Sequence, residues 1–260
     1  MRYQHLLDHL IAAAKEIFGT QLTGIYLHGS LAMGCFHPGI SDIDLIVVVE
    51  QPISDKHKLE FLTQVVALNR QAPAKGLEIS IVRRRDCAPF CYPTPFVLHF
   101  SPMHLSGFLQ APYGYVNRMH GVDKDLAAHI TMLHQYGMTL YGEPISSVFA
   151  EVPREAYIDS IWHDIQHAVA DISDSPVYMI LNLCRVLAFL REGLYLSKQS
   201  GGAWGLEHLP ENCRSLVAEA LTHYEGGQDM PVDQDRARQF AACLLGLIRQ
   251  ALPAGFHPVA

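Results

Sequence analysis

The sequence predicts an α+β protein whose first part mixes strands with helices and whose second part is helical throughout. Three observations carry that expectation. Short runs at 24–30, 42–50 and 76–84 read as strands, the last two rich in β-branched residues, with a helix-period stretch between the second and the third. Beyond about residue 120 such runs stop and helical spacing takes over. Between the two parts, CAPFCYPTPF (87–96) carries three prolines and SPMHLSGFLQAPYGY (101–115) carries turn formers. The predicted domains are therefore residues 1–117 and 118–260.

Each element has its own signal. Leu6, Leu7, Leu10, Ile11, Ala14, Ile17 and Phe18 recur at helical spacing, and Gly19 stops the pattern. GIYLHGS (24–30) reads as a strand running into a Gly-Ser turn. DIDLIVVVE (42–50) reads as a strand, KHKLEFLTQVVALNRQ (56–71) as a helix, and GLEISIVRR (76–84) as the next strand. The helical part is predicted from DKDLAAHITMLHQYGMTLYG (123–142), PREAYIDSIWHDIQHAVADIS (153–173), VYMILNLCRVLAFLREG (177–193), ENCRSLVAEALTHYEGG (211–227) and DQDRARQFAACLLGLIRQAL (233–252). No repeat or low-complexity tract interrupts the chain.

Composition narrows the function. A hydrophobic content of 49% over 260 residues supports a sizeable core. The longest apolar runs, such as 45–49, are too short to span a bilayer, and the N-terminal stretch is an amphipathic helix pattern, not a signal peptide. A cytoplasmic, monomeric protein without membrane contact is expected. A formal charge of −7 argues against a nucleic-acid surface and suits a cationic small molecule. The six cysteines form no CxxC pair, so reduced thiols in ordinary packing are expected.

The chemistry concentrates at one place. In DIDLIVVVE, Asp42 and Asp44 lie on the same side of the strand, because side chains alternate with period two. Ile43, Leu45 and Val47 face one way, and Ile46 and Val48 face the other, so the strand is central with its carboxylates at the exposed end. Two like charges that close need a shared proton or a cation between them. Gly29 and Ser30 can approach a phosphate closely through the backbone and a hydroxyl. No GxxxxGK[ST] occurs, so phosphate must be held largely by metal, for which hard Mg²⁺ and carboxylate oxygen suit one another. Glu78 shares the polar face of its strand with Ser80 and is a third candidate, as metal ligand or as general base. The histidines, His99 and His129 among them, show no metal-ligand spacing and read as packing or surface residues.

These residues carry a resemblance. GS(x)₁₁DID, LEISIV and LNLCRVLAFLREGLYLSKQSGGAWGLEHLP are similar to the aminoglycoside nucleotidyltransferases of the streptomycin/spectinomycin adenylyltransferase type. The resemblance implies an N-terminal nucleotidyltransferase domain with a small mixed sheet, a C-terminal helical bundle, and transfer of AMP from ATP to an antibiotic hydroxyl with release of pyrophosphate. It implies two Mg²⁺ ions on Asp42 and Asp44, and Glu78 as the base. It also implies a nucleotide site formed by Gly29, Ser30, Arg185, Lys198 and Tyr224, and an acceptor site that includes Glu78, Met103, Asp171, Asp174 and Tyr178. Family members that use streptomycin carry a tryptophan and an acidic residue where Met103 and Ser175 align, so spectinomycin is the expected acceptor. Trp204, beside Gly201 and Gly202, reads as core. Two other readings stand beside this one: a nucleotidyltransferase acting on a non-antibiotic hydroxyl metabolite, and a toxin–antitoxin-type partner protein.

Overall fold

The computed structural model describes residues 3–227 and 230–259. It bears out the α+β expectation and forms two compact units, Met1–Tyr157 and Ile158–Ala260. The division falls well past the residue 117 read from the sequence. The reason is a strand, Met138–Gly142, at the end of a stretch whose spacing predicts helix. The strand is short, its five residues are exposed or half-buried, and pairing with the strand Leu22–His28 identifies it.

Among the described residues the first unit is built on seven strands: β1 (Leu22–His28), β2 (Ile43–Val49), β3 (Leu77–Arg83), β4 (Thr94–Phe96), β5 (Leu98–Phe100), β6 (Gly121–Asp123) and β7 (Met138–Gly142). Five of them form a mixed sheet in the order β5-β3-β2-β1-β7, and β4 pairs with β6 separately. Strands β2 and β3 run parallel, joined by the helix Asp55–Asn69, while β1 is antiparallel to both of its neighbours. Ser54 caps that helix by accepting a hydrogen bond from the His57 amide.

Strand β2 is buried on both faces, as its sequence predicts. Ile43, Leu45 and Val47 pack with Leu7, Leu10 and Ala14 of the helix Gln4–Phe18 and with Phe61, Leu62 and Val65 of the helix Asp55–Asn69. Ile46 and Val48 face the opposite side, where Tyr26 and Val82 join them under Leu126, Ile130 and Leu133 of the helix Asp125–Tyr136. That helix therefore belongs to the first unit as surely as the strands do. The helix Gln4–Phe18 ends at Gly19, whose positive φ of 52° a side chain would resist.

The second unit is helical throughout its described residues. The helix Pro176–Glu192 is buried on nearly every side from Met179 to Phe189, which fits a central helix. It packs against the helices Lys198–His208, Glu211–Gly226 and Gln234–Ala251. Close approach depends on two glycines: a Cβ at Gly201 would stand 2.5 Å from Arg185 Cγ, and one at Gly202 would stand 2.6 Å from a Leu221 methyl. Trp204 is core, as expected, with its indole N–H donating to Glu192 at 2.9 Å. None of the six cysteines forms a disulfide among the described residues. No helix among the described residues is long and apolar enough to cross a membrane.

A fragment ending at 117 would lose β7 and also the cover over Tyr26, Ile46 and Val48. Each buried aliphatic side chain contributes about 1.5–3 kcal/mol, so loss of Leu126, Ile130, Leu133, Val148 and Phe149 matches the whole stability of a typical domain. Residues 1–157 should show a cooperative thermal transition by circular dichroism, and residues 1–117 should not.

Candidate active site

The parallel register of β2 and β3 sets Asp44 directly opposite Glu78. Asp42 immediately precedes β2, and its side chain points to the same side. One carboxylate oxygen from each of Asp42, Asp44 and Glu78 lies within 4.8 Å of the others, and all three residues are half-buried. At that separation each ionised pair repels by about 3.5 kcal/mol at an effective dielectric of 20. The group is therefore suited to a divalent cation, with hard oxygen ligands and excess negative charge.

The Gly-Ser turn abuts these carboxylates. Gly29 follows β1 with φ +63°, and a Cβ there would stand 1.8 Å from Asp44 Oδ2. Only glycine lets the backbone pass so close to that carboxylate. The Ser30 hydroxyl is buried and has no hydrogen-bond partner among the described residues. A buried hydroxyl left unpaired costs stability unless a ligand completes it.

The antiparallel register of β1 and β2 places His28 opposite Asp44, so His28, Asp44 and Glu78 form a row across three strands. The helix Asp125–Tyr136 covers this row and brings His129 over His28, with ring centroids 4.6 Å apart. His129 Nε2 lies 3.2 Å from an Asp125 carboxylate oxygen. Burial alone would lower the His129 pKa, but Asp125, Glu78 and Asp44 together raise it to about 10. His28 is held well below the ordinary range, first by burial and then by the His129 charge, and is neutral. The result is one imidazolium facing a cluster of carboxylates.

Glu78 is pushed above the ordinary carboxylate pKa, chiefly by burial. His129 works against that rise, and Asp42, Asp125 and Asp123 add to it. Further along the same face, Ser80 Oγ and His99 Nδ1 are 2.9 Å apart, and the His99 ring meets His104 at 5.6 Å. His104 lines a pocket of about 340 Å³ together with Met103, Tyr115, Arg118 and Met119. Met103 itself is 80% exposed. Sequence reading missed His129, His99 and Asp125, because their proximity to Glu78 comes from sheet pairing and helix docking, with no spacing motif to announce it.

The remaining predicted residues lie in the second unit. Arg185 donates from Nε to Asn182 Oδ1 at 3.1 Å, and from Nη2 to the same oxygen. Lys198 opens its helix after the Ser197 cap and holds Nζ 4.8 Å from the centroid of the Tyr178 ring. Tyr224 is half-buried against the helical core. Asp171 closes the short helix Ala168–Asp171 and Asp174 lies in the turn after it, and both are exposed. Within this unit the structure brings Arg185, Lys198 and Tyr178 into one polar group.

Comparison with known proteins adds to this geometry at both ends of the chain. Residues 7–95 match the family model of the nucleotidyltransferase domain, and residues 147–246 match that of the aminoglycoside adenylyltransferase C-terminal domain. A spectinomycin 9-adenylyltransferase of Staphylococcus aureus is 23% identical over 83% of this chain and 82% of its own. An aminoglycoside (3'') (9) adenylyltransferase of Klebsiella pneumoniae is 21% identical over 95% of each chain. The crystal structure of the spectinomycin adenyltransferase AAD(9) from Enterococcus faecalis with ATP and spectinomycin superposes with a TM-score of 0.82 at 18% identity. That match covers 94% of this chain and 98% of the other.

Two outcomes follow from the site's geometry. Gly29→Ala forces a side chain to positive φ and into Asp44, so it should lower stability by more than the roughly 1 kcal/mol that backbone strain alone costs. A parent-like urea midpoint would show that the turn relaxes. For Glu78, a folded pKa above the unfolded value means that the folded state binds the extra proton, so stability falls as pH rises through that window. Glu78→Gln removes the loss: in metal-free buffer its melting temperature should exceed the parent's at pH 7, and the gap should close below about pH 4, near the ordinary glutamate pKa. An equal gap at both pH values would point to packing in place of ionisation.

Proposed function

We propose that this chain, which belongs to the aminoglycoside adenylyltransferases through its nucleotidyltransferase domain and its C-terminal domain, transfers AMP from ATP to a hydroxyl of an aminocyclitol antibiotic. The observation that carries the chemistry is the convergence of Asp42, Asp44 and Glu78 beside the unpaired Ser30 hydroxyl. The names of the relatives favour an antibiotic acceptor over a general metabolite or a toxin–antitoxin partner.

Asp42 and Asp44 would hold Mg²⁺, two ions by the family resemblance, and the carboxylate cluster fits that charge. Bound there, the metal supplies charge neutralisation for the ATP phosphates. Gly29 lets the phosphates approach the backbone, and the Ser30 hydroxyl donates to a phosphate oxygen. Glu78, with its raised pKa, accepts the proton of the acceptor hydroxyl near neutral pH. The acceptor oxygen forms a bond to the α-phosphorus while the bond to the pyrophosphate oxygen breaks. Arg185 and Lys198 offset the charge gathering on the leaving pyrophosphate, and Tyr224 contributes to the nucleotide site.

The acceptor reading rests on charge and on two positions. Glu78, Asp171 and Asp174 suit a cationic ligand, and Met103 with Tyr178 offers apolar contact surface to a sugar ring. Met103 and Ser175, where streptomycin users carry a tryptophan and an acid, favour spectinomycin. We place the reaction in a monomer.

Pyrophosphate release should appear with ATP, Mg²⁺ and spectinomycin, and should be weaker with streptomycin. Release with streptomycin alone would reverse the acceptor assignment, and release with neither would remove the antibiotic reading. Glu78→Gln should bind Mg²⁺·ATP almost as the parent does while turnover falls by about 10²–10⁴-fold, the usual range for a lost general base. Affinity and rate falling together would make Glu78 a metal ligand first.

A further inference from the structure

The two cations assigned to the nucleotide are organised by a carboxylate that neither sequence motif includes. Asp164, on the helix Arg154–Ile165, is exposed, and its Oδ2 accepts two hydrogen bonds. One comes from the Tyr178 hydroxyl at 2.7 Å and the other from the Asn182 side-chain amide N–H. Asn182 is 2% exposed. Because its Nδ2 is committed to Asp164, its Oδ1 must face the other way, and that oxygen is the one that holds Arg185 through Nε and Nη2. The stem of Arg185 is also closely flanked, since a Cβ at Gly201 would stand 2.5 Å from its Cγ. The second branch runs through Tyr178, whose hydroxyl is fixed by Asp164 and whose ring lies under Lys198.

We infer that Asp164 is a positioning residue for ATP use: through the buried Asn182 amide it aims the Arg185 guanidinium, and through the Tyr178 ring it steadies the Lys198 ammonium. This rests on the nucleotide role proposed above for Arg185 and Lys198. The chemistry has a clear logic. A carboxylate paired directly with Arg185 would cancel the charge meant for phosphate, whereas a neutral amide oxygen fixes the same fork and leaves its charge in place. The aromatic ring does likewise for Lys198, offering an attractive face without a negative charge. The anion that organises both stands one residue further back.

The test uses the full chain and Mg²⁺·ATP as the titrant in calorimetry, so it does not depend on any acceptor. Asp164 is exposed, and Asp164→Ala should melt within a few degrees of the parent. It should weaken Mg²⁺·ATP binding about tenfold, the scale of one charge-assisted hydrogen bond. Asp164→Asn keeps an acceptor oxygen for the Asn182 amide and should recover part of that loss. The deciding measurement is the pair of Asp164→Ala with Arg185→Ala: a residue that acts through Arg185 adds less than its single-variant loss once Arg185 is gone. Parent affinity in Asp164→Ala, with Arg185→Ala impaired, would overturn the inference. So would fully additive losses in the double variant, which are the mark of a separate structural role. Parent affinity in Arg185→Ala would overturn it as well, and would locate the failure in the nucleotide role of that arginine while leaving AMP transfer, read by pyrophosphate release, to stand on its own.

Discussion

Mutual repulsion among Asp42, Asp44 and Glu78 is the constraint around which the first unit is arranged. Three carboxylates within 4.8 Å are unfavourable in isolation, and several features of the fold exist in relation to them. The parallel pairing of β2 with β3 forces Asp44 and Glu78 together. Gly29 lets the β1 turn close over Asp44 where any side chain would collide. The helix Asp125–Tyr136 lays the one nearby imidazolium, His129, against the cluster, and anchors it with Asp125. That positive charge offsets part of the repulsion, and the Asp125 carboxylate stands 3.2 Å from its Nε2.

The helical unit treats charge in the opposite way. Around Arg185 and Lys198 it uses uncharged groups, an amide oxygen for the one and an aromatic face for the other, with the carboxylate of Asp164 one step removed from the guanidinium, whereas Arg236 pairs directly with Glu219. The first unit, by contrast, gathers three carboxylates within 4.8 Å of one another.

How much of this could be read from the chain depends on which forces are local. The double-sided burial of β2 was legible, because apolar residues at every position beyond Asp44 leave no solvent face. The Asp42, Asp44 and Glu78 group was legible too, since period-two alternation and a carboxylate inside an apolar strand are both sequence properties. Strand β7 was not, because Met138–Gly142 is half-exposed and its identity comes from pairing with β1. That single miss moved the domain boundary and hid His129, which reaches the site only because its helix covers the same sheet. Asp164 was invisible for a similar reason: its partners lie 14 and 18 residues away on another helix.

The register of β2 carries a consequence for folding fidelity. Because the strand is apolar on both faces beyond Asp44, a slip of one residue against β3 would still bury aliphatic side chains, and the core alone would discriminate weakly against it. The polar end would not. Such a slip would turn Asp44 toward the packed side held by Leu7 and Leu10 and would present Ile43 to Glu78, stranding a carboxylate in hydrocarbon. The clustered carboxylates thus also proofread the strand, and an alignment error that hydrophobicity would tolerate is rejected by the charge at its tip.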